Sequence, residues 1–546
     1  MPTETPIDPF TGPKFALSGR VVTMDAEFKV IPSGIVYIDQ GVIVAVQDAA
    51  APPPAGFEAI QAVATEGTLF PGLIELHNHL SYNVLRLWDV PKQFTNRGQW
   101  GGTEEYRRLI SGPMQVLGKT PGLLPAVVRY VECKCLLGGV TTSQGIELYS
   151  NRGARRYYRG IVRNVEATDD ANFPEAGTKI ADVEASDAQA FLARLLKGTC
   201  FLLHLSEGTD QAAREHFLAL DLKDGNWAIS PALAGIHCAA LEPDDFGVLG
   251  RRGGSMVWSP LSNLLLYGAT ARVKDARAQG VRIGIGSDWS PSGSKNLLGE
   301  LKVAHLFSQD AGGIFSERDI VAMATRDAAA VLKWDRVLGS IEAGKRADLL
   351  VIDGESGDPY TALLKASETS IRLVLINGVP RFGQPALMQR LGGAGETIRV
   401  GGRARVVNLK QPTADPVVGA ISLAKAQSDL TEALKRLPQL ALELEQERAA
   451  PRRGLVAGPE PLVWSLALDE LEETGMELRP RLPLAGRRAM TGPSLQAARA
   501  ARPLSEILQP LELDPLTVAD DSDFLDRIGA QKNLPPFVQT GLREMY

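Results

Sequence analysis

The chain has little cysteine and little histidine, four and six residues among 546. So few cysteines exclude a disulfide framework in a protein this long, and the pattern around them predicts reduced core residues. Cys133 and Cys135 are two apart in a stretch, 123–137, that reads as a helix, where such neighbours do not face each other. Cys200 and Cys238 fall in apolar, strand-like runs. No apolar run approaches the roughly 20 residues that a membrane-spanning helix needs. Lysine and arginine number 58 against 64 acidic residues, a balance that supplies no basic surface for nucleic acid. The first residues, Met1-Pro-Thr-Glu-Thr-Pro-Ile-Asp8, lack the charged and apolar regions of a signal peptide, so a cytoplasmic protein is expected. What remains is a long chain of ordinary hydrophobic content, 44%, with room for about three to four domains.

The few histidines are not scattered. Pro71-Gly-Leu-Ile-Glu-Leu-His77-Asn78-His79 ends an apolar run with two of them, and residues two apart on extended chain point to one side. Cys200-Phe-Leu-Leu-His204-Leu-Ser-Glu207 and Gly235-Ile-His237-Cys238 end two further apolar runs. Val281-Arg-Ile-Gly-Ile-Gly-Ser-Asp288 ends another with a carboxylate. Alternation puts Asp288 on the side of Gly284 and Gly286, where a crowded interior calls for small residues. Imidazoles and a carboxylate gathered at strand ends suit one divalent ion with a coordination position left open for water. Such a donor set favours zinc, with iron(II) as the alternative, over magnesium or calcium.

These pieces occur in a recognisable order. The histidine pair is followed by Gly138-Gly-Val-Thr-Thr142, His204-Leu-Ser-Glu207, His237, Ser259-Pro-Leu-Ser-Asn263, Ser287-Asp288 and Gly339-Ser-Ile-Glu-Ala-Gly-Lys-Arg-Ala-Asp-Leu-Leu-Val351. The set, spread over about residues 15–410, resembles the amidohydrolase superfamily, in the branch of atrazine chlorohydrolase, guanine deaminase and adenosine-type deaminases. The resemblance implies a (β/α)8 barrel inserted in a composite β-sandwich. It implies one metal ion held by His77, His79, His204 and Asp288, with Asp288 also taking a proton from the attacking water. It gives Glu207 the role of general acid/base and His237 that of a non-ligand group polarising the substrate. A small-molecule substrate is implied, without nucleic acid or membrane, and a homo-oligomer is left open.

The rest of the chain fits that plan. Short strands with a hairpin at Asp39-Gln40-Gly41 occupy the first 65 residues, and a second strand-rich block occupies 336–410. Neither block makes a comfortable core alone, which favours pairing them. Between them, 66–335 alternates strand and helix signals. Barrel strands are expected near 69–77, 140–146, 160–165, 179–183, 200–205, 234–238, 255–258 and 281–287. The third and fourth lie too close for the usual helix between them. No lysine stands on a convincing fourth strand to bridge two metals, which favours a single ion. Residues 411–546 read as a mainly helical extension: 415–447 has helical spacing divided at Pro438, followed by a Pro/Arg/Gly-rich stretch near 449–460. Packing against the barrel or a neighbouring subunit is its expected use.

Loops after barrel strands line the pocket. The one after His79 offers Tyr82, Trp88, Phe94 and Trp100 for stacking on a planar ring, and Arg86, Lys92 and Arg97 for an anion. Tyr82, Trp88, Asn263 and Trp289 are the expected substrate-binding residues, with Ser262 beside them. His216 and His305 fall in helical stretches, 210–220 and 297–307, and read as surface or packing histidines. The expected reaction is hydrolysis of a carbon–nitrogen bond, most simply deamination of a heterocyclic or amidine-like molecule. The alternatives are a cyclic-amide hydrolase resembling imidazolonepropionase and a non-catalytic scaffold resembling dihydropyrimidinase-related proteins.

Overall fold

The computed structural model describes residues 12–168, 170–412, 414–449, 462–468 and 502–546. The N-terminal segment and most of the Pro/Arg/Gly-rich stretch lie outside the described residues.

A nine-stranded mixed sheet gathers both ends of the plan. From the N-terminal side come Phe15–Val22, Val30–Asp39, Val42–Asp48 and Val63–Pro71. The other five run from Leu349–Asp353 to Arg403–Val407. The halves meet where Leu69 pairs antiparallel with Val351. Leu17, Val36, Ile38 and Leu69 from one half and Leu349, Val351 and Leu373 from the other share one buried cluster, which neither could close alone. Gln40 and Gly41, both at positive φ, make the two-residue hairpin turn.

Eight short parallel strands follow in chain order. Leu73–Glu75, Val140–Ser143 and Arg163–Asn164 form one run. Ala176–Lys179, Cys200–Leu205, Leu233–His237, Ser255–Trp258 and Arg282–Ile285 form the other. Backbone bonds continue across both seams: Ala176 N–H donates to Val165 C=O (2.8 Å), and Asp288 N–H to His77 C=O (3.0 Å).

Three expectations are corrected here. The stretch 69–77, expected as one strand, belongs to two. It breaks at Gly72, where a Cβ would meet the Thr141 side chain at 2.4 Å, so Val63–Pro71 serves the mixed sheet beyond the border expected at 65. The fourth strand is Ala176–Lys179 and not 179–183, because pairing with Cys200–Leu205 takes it from Ala176. It therefore ends in a lysine, and the case for a single ion from a missing fourth-strand lysine does not hold; the Lys179 ammonium donates to Asp182 C=O at 2.7 Å. Between the third and fourth strands no helix intervenes among the described residues.

The region after residue 411 holds the helices Leu423–Lys435 and Leu437–Ala449, broken at Arg436 so that Pro438 sits in the first turn of the second, where its missing N–H does no harm. It also contributes a strand, Trp464–Leu466, that joins the hairpin Glu147–Ser150 and Arg155–Tyr157. Among the described residues three short helices follow, Leu504–Ile507, Phe524–Ala530 and Pro536–Met545. All four cysteines are buried and free.

Candidate metal centre and active site

The strand ends bring the expected ligands together. His77 Nε2 lies 3.1 Å and His79 Nε2 3.5 Å from Asp288 Oδ1. The His204 ring centroid is 4.7 Å from that of His77 and 5.3 Å from that of His79. Donor atoms of His77, His79 and Asp288 lie within 4.8 Å of one another, as do those of His77, His204 and His237. His77 and His79 stand past the end of the short strand Leu73–Glu75, and Asn78 between them forms a parallel bridge with Asp288. Gly286 makes the closeness affordable: a Cβ on it would strike the His77 backbone nitrogen at 2.7 Å. His237 and Asp288 both carry positive φ, at 66° and 64°, a strained backbone of the kind that functional sites retain.

The donor set fits a metal ion. His77 Nδ1 bonds to Gln144 Oε1 (3.0 Å), an acceptor, so Nδ1 carries the proton and Nε2 keeps a lone pair. That buried Nε2, and His204 Nδ1, have no hydrogen-bond partner among the described residues. Buried imidazole nitrogens without partners are costly unless something binds them. Burial, the largest influence, and the three neighbouring imidazoles hold His204 well below the usual range, so it is neutral as a ligand must be. Burial pushes Asp288 up, but the imidazoles of His77, His237 and His79 together outweigh it and keep the carboxyl ionised.

Glu207 and His237 face the same space. Glu207 Oε2 lies 3.7 Å from His237 Nε2 and 3.9 Å from Arg97 Nη1. Burial, partly offset by the nearby carboxylates, depresses His237 to about 4. A cavity of about 490 Å³ opens over them, reaching His79, His204, Asp288 and Trp289. Its outer wall includes Arg97, Trp100, Arg155, Tyr157, Lys179 and, from the extension, Leu468.

Of the four expected substrate-binding residues, Trp289 lines this cavity. Tyr82 is buried behind it, edge-on at 5.1 Å. Trp88 packs against Phe94 and Tyr106 and is not among the lining residues. Asn263 is fully buried and bonds through Nδ2 to His237 Nδ1 (3.0 Å), behind the imidazole rather than in the cavity. Ser262 likewise bonds inward, to Ser292 (3.2 Å). Of the three loop cations, Arg97 reaches the cavity, Arg86 pairs with Glu512 of the extension (3.1 Å), and Lys92 sits over Phe94. His216 pairs with Asp182 at 3.0 Å, and His305 is half-buried on the helix Leu297–Asp310.

Sequence reasoning missed two residues that matter here. Gln144 follows the second barrel strand by one residue, and the strand-end rule that found the histidines applies to it equally. Tyr267 donates its O–H to Glu207 Oε1 (2.7 Å) and lies one helical turn beyond Asn263. Behind the site, the extension's Asp514 pairs with Lys134 and with Lys295 (2.6 Å), and Lys134 donates to Asn83 C=O (2.9 Å) and Ser290 Oγ (2.7 Å) on the loops after His79 and Asp288.

Comparison with known proteins gives the family and the fold. The sequence pattern of the amidohydrolase family matches residues 68–381. A 5-methylthioadenosine/S-adenosylhomocysteine deaminase of Symbiobacterium thermophilum is 27% identical over 382 residues, 62% of this chain and 84% of that protein. An S-triazine hydrolase of Gordonia rubripertincta is 28% identical over 187 residues, 32% of this chain and 39% of that one. Among solved structures, atrazine chlorohydrolase from Arthrobacter aurescens complexed with zinc superposes with a TM-score of 0.54 at 18% identity, over 77% of this chain and 99% of that chain. A zinc-bound adenosine deaminase from Xanthomonas campestris gives 0.52 at 16%, over 78% and 98%.

Proposed function

This chain belongs to the amidohydrolase family, and from that premise we propose that it is a metal-dependent hydrolase that deaminates a planar amino-heterocycle. Its fold is of the TIM-barrel type with mixed α/β content. In our reading the eight parallel strands are the (β/α)8 barrel, ending near 335. The nine-stranded sheet is the composite sandwich, from residues before Gly72 and from 336–410, and 411–546 is a helical extension.

His77, His79, His204 and Asp288 would hold one divalent ion, zinc by preference. Such an ion, when bound, acidifies a water and supplies a hydroxide nucleophile near neutral pH. Asp288, held ionised, accepts the proton of the attacking water. His237, neutral at physiological pH, presents Nε2 to the cavity, where its N–H stabilises charge developing on the substrate. Glu207 delivers the two protons that the attacking water gives up, the first to a ring nitrogen and the second to the departing amine. Trp289 and Trp100, in tilted contact with centroids 6.0 Å apart, both line the cavity and offer an aromatic wall to a flat ring.

The observation that carries the reading is the Glu207–His237 pair beside the ligand cluster in one cavity, since departing ammonia needs a proton donor within reach. The test is mass spectrometry of a mixed library of amino-heterocycles and cyclic amides after incubation with zinc-loaded protein. A product shifted by about +1 Da, amine replaced by oxygen, is expected. Water addition with ring opening, about +18 Da, would replace deamination by cyclic-amide hydrolysis. A chain that bound no metal when supplied with it would overturn both.

A further inference from the structure

Both groups that face the substrate opposite the ligands are held from one helix, Pro260–Tyr267. Asn263 and Tyr267 are four residues apart and so lie on one face of it. Asn263 Nδ2 meets His237 Nδ1 at 3.0 Å, and the Tyr267 hydroxyl meets Glu207 Oε1 at 2.7 Å.

Each contact is the end of a chain that starts at an indole N–H. Trp258 Nε1–H donates to Thr270 Oγ1 (2.8 Å), and Thr270 donates to Asn263 Oδ1 (3.2 Å). Trp100 Nε1–H donates to the Tyr267 hydroxyl oxygen (3.0 Å). An indole nitrogen can only donate, and each hydroxyl that accepts from it keeps its own hydrogen for the next group in the chain. Thr270, having accepted, gives its hydrogen to Asn263 Oδ1. The amide must then turn Nδ2 towards His237, whose Nδ1 becomes an acceptor and whose remaining proton sits on Nε2, on the side of Glu207 Oε2. Tyr267, having accepted from Trp100, gives its hydrogen to Glu207 Oε1. Burial, the carboxylate beside it and other acids raise the Tyr267 hydroxyl well above its usual range, so it keeps that hydrogen.

We propose that Asn263 and Tyr267 are the positioning residues of the reaction: Asn263 fixes His237 as its Nε2–H tautomer, and Tyr267 occupies Glu207 Oε1 so that Oε2 is the oxygen that exchanges protons with substrate. Asn263, expected to touch substrate, acts instead through His237. The proposal rests on the roles given above to His237 and Glu207.

The closing experiment reads the tautomer directly. Imidazole ¹⁵N–¹H correlation spectra of the zinc-loaded full chain, with the His237 signals assigned by a His237→Gln variant, should give an Nε2–H pattern for His237. An Nδ1–H pattern would overturn the proposal, and this spectrum of the unaltered protein needs no substitution to fold. In Asn263→Asp, the new carboxylate accepts from Nδ1, so the pattern should invert, with kcat falling on the order of 10²–10⁴-fold, as a wrong tautomer does elsewhere. An unchanged pattern there would remove Asn263 from the role. Tyr267→Phe should keep its zinc and its KM while kcat falls about 10- to 100-fold, the loss of one hydrogen bond to a charged group. A fall in zinc content, or a change confined to KM, would make Tyr267 merely structural. If no library compound is turned over, the functional reading fails while the spectra still decide the tautomer. If a substrate is found and His237 shows Nδ1–H, the positioning proposal fails alone.

Discussion

At the scale of single residues, the site is a contest between burial and partners. His77 holds Nδ1 on Gln144 and turns Nε2 towards Asp288 Oδ1 at 3.1 Å, a pair of donors that one ion could share. His77→Ala should abolish metal binding and turnover while the mixed sheet stays folded, and elemental analysis decides it; unchanged metal content would refute the ligand assignment. Gln144→Leu removes the acceptor that His77 Nδ1 and Asn78 N–H share and should weaken zinc affinity by about 10- to 100-fold in a competition titration. Glu207→Gln should keep its metal and lose rate by about 10²–10⁴-fold; near-normal turnover would remove Glu207 from the mechanism. Glu300 gives a pH signature. Buried between Leu261 N–H and Ser294, it is pushed up by burial from 4.5 to about 8. Between those values the unfolded chain has shed the proton and the folded chain retains it, so stability falls as pH rises through the window. Glu300→Gln should flatten that slope and raise the melting temperature more at pH 8 than at pH 5. Equal shifts at both pH values would count against it.

At the scale of elements, the parallel strands are short and the candidate ligands stand at or just past their ends. Gly286 shows how tightly two strands are drawn together. In Gly286→Ala the methyl would meet His77 Cβ at 2.5 Å, and relief by backbone movement costs about 1–3 kcal/mol. Reduced zinc affinity alongside a lower melting temperature is expected, whereas a shift in melting temperature alone would mean that the strand absorbs the strain. The same shortness explains what could be read from sequence. His77, His79, His204, His237 and Asp288 were legible as a group because each ends an apolar run, and an apolar run ending in a scarce residue is a strong signal. The fourth strand was misplaced because Arg163–Asn164 before it is two residues long and carries no periodicity. The antiparallel trio at Glu147–Ser150, Arg155–Tyr157 and Trp464–Leu466 was not foreseen, since its third member comes from about three hundred residues away. Gln144 and Tyr267 escaped notice for a different reason. Their residue types are common, and only contact gives them meaning. Tyr82 and Trp88 show the reverse: conspicuous aromatics whose loop turns them into packing.

At the scale of the whole molecule, the extension is part of the site's frame. Asp514 stands between Lys134 and Lys295, both buried, and Lys134 carries the constraint to Asn83 and Ser290 on the loops that follow His79 and Asp288. Removing one partner of a buried ion pair costs about 3–5 kcal/mol. Asp514→Asn should therefore lower the melting temperature of the full chain; an unaltered melting curve would show that the lysines find other partners. Asp514 also has a place in time. A polypeptide growing from its N-terminus contains Lys295 for 219 further residues, and Lys134 for 380, before their shared counter-charge is made. Every candidate ligand is thus on the nascent chain long before the clasp. A product ended before Asp514 would carry every candidate ligand while Lys134 and Lys295 lacked that counter-charge, and it should melt below the full chain.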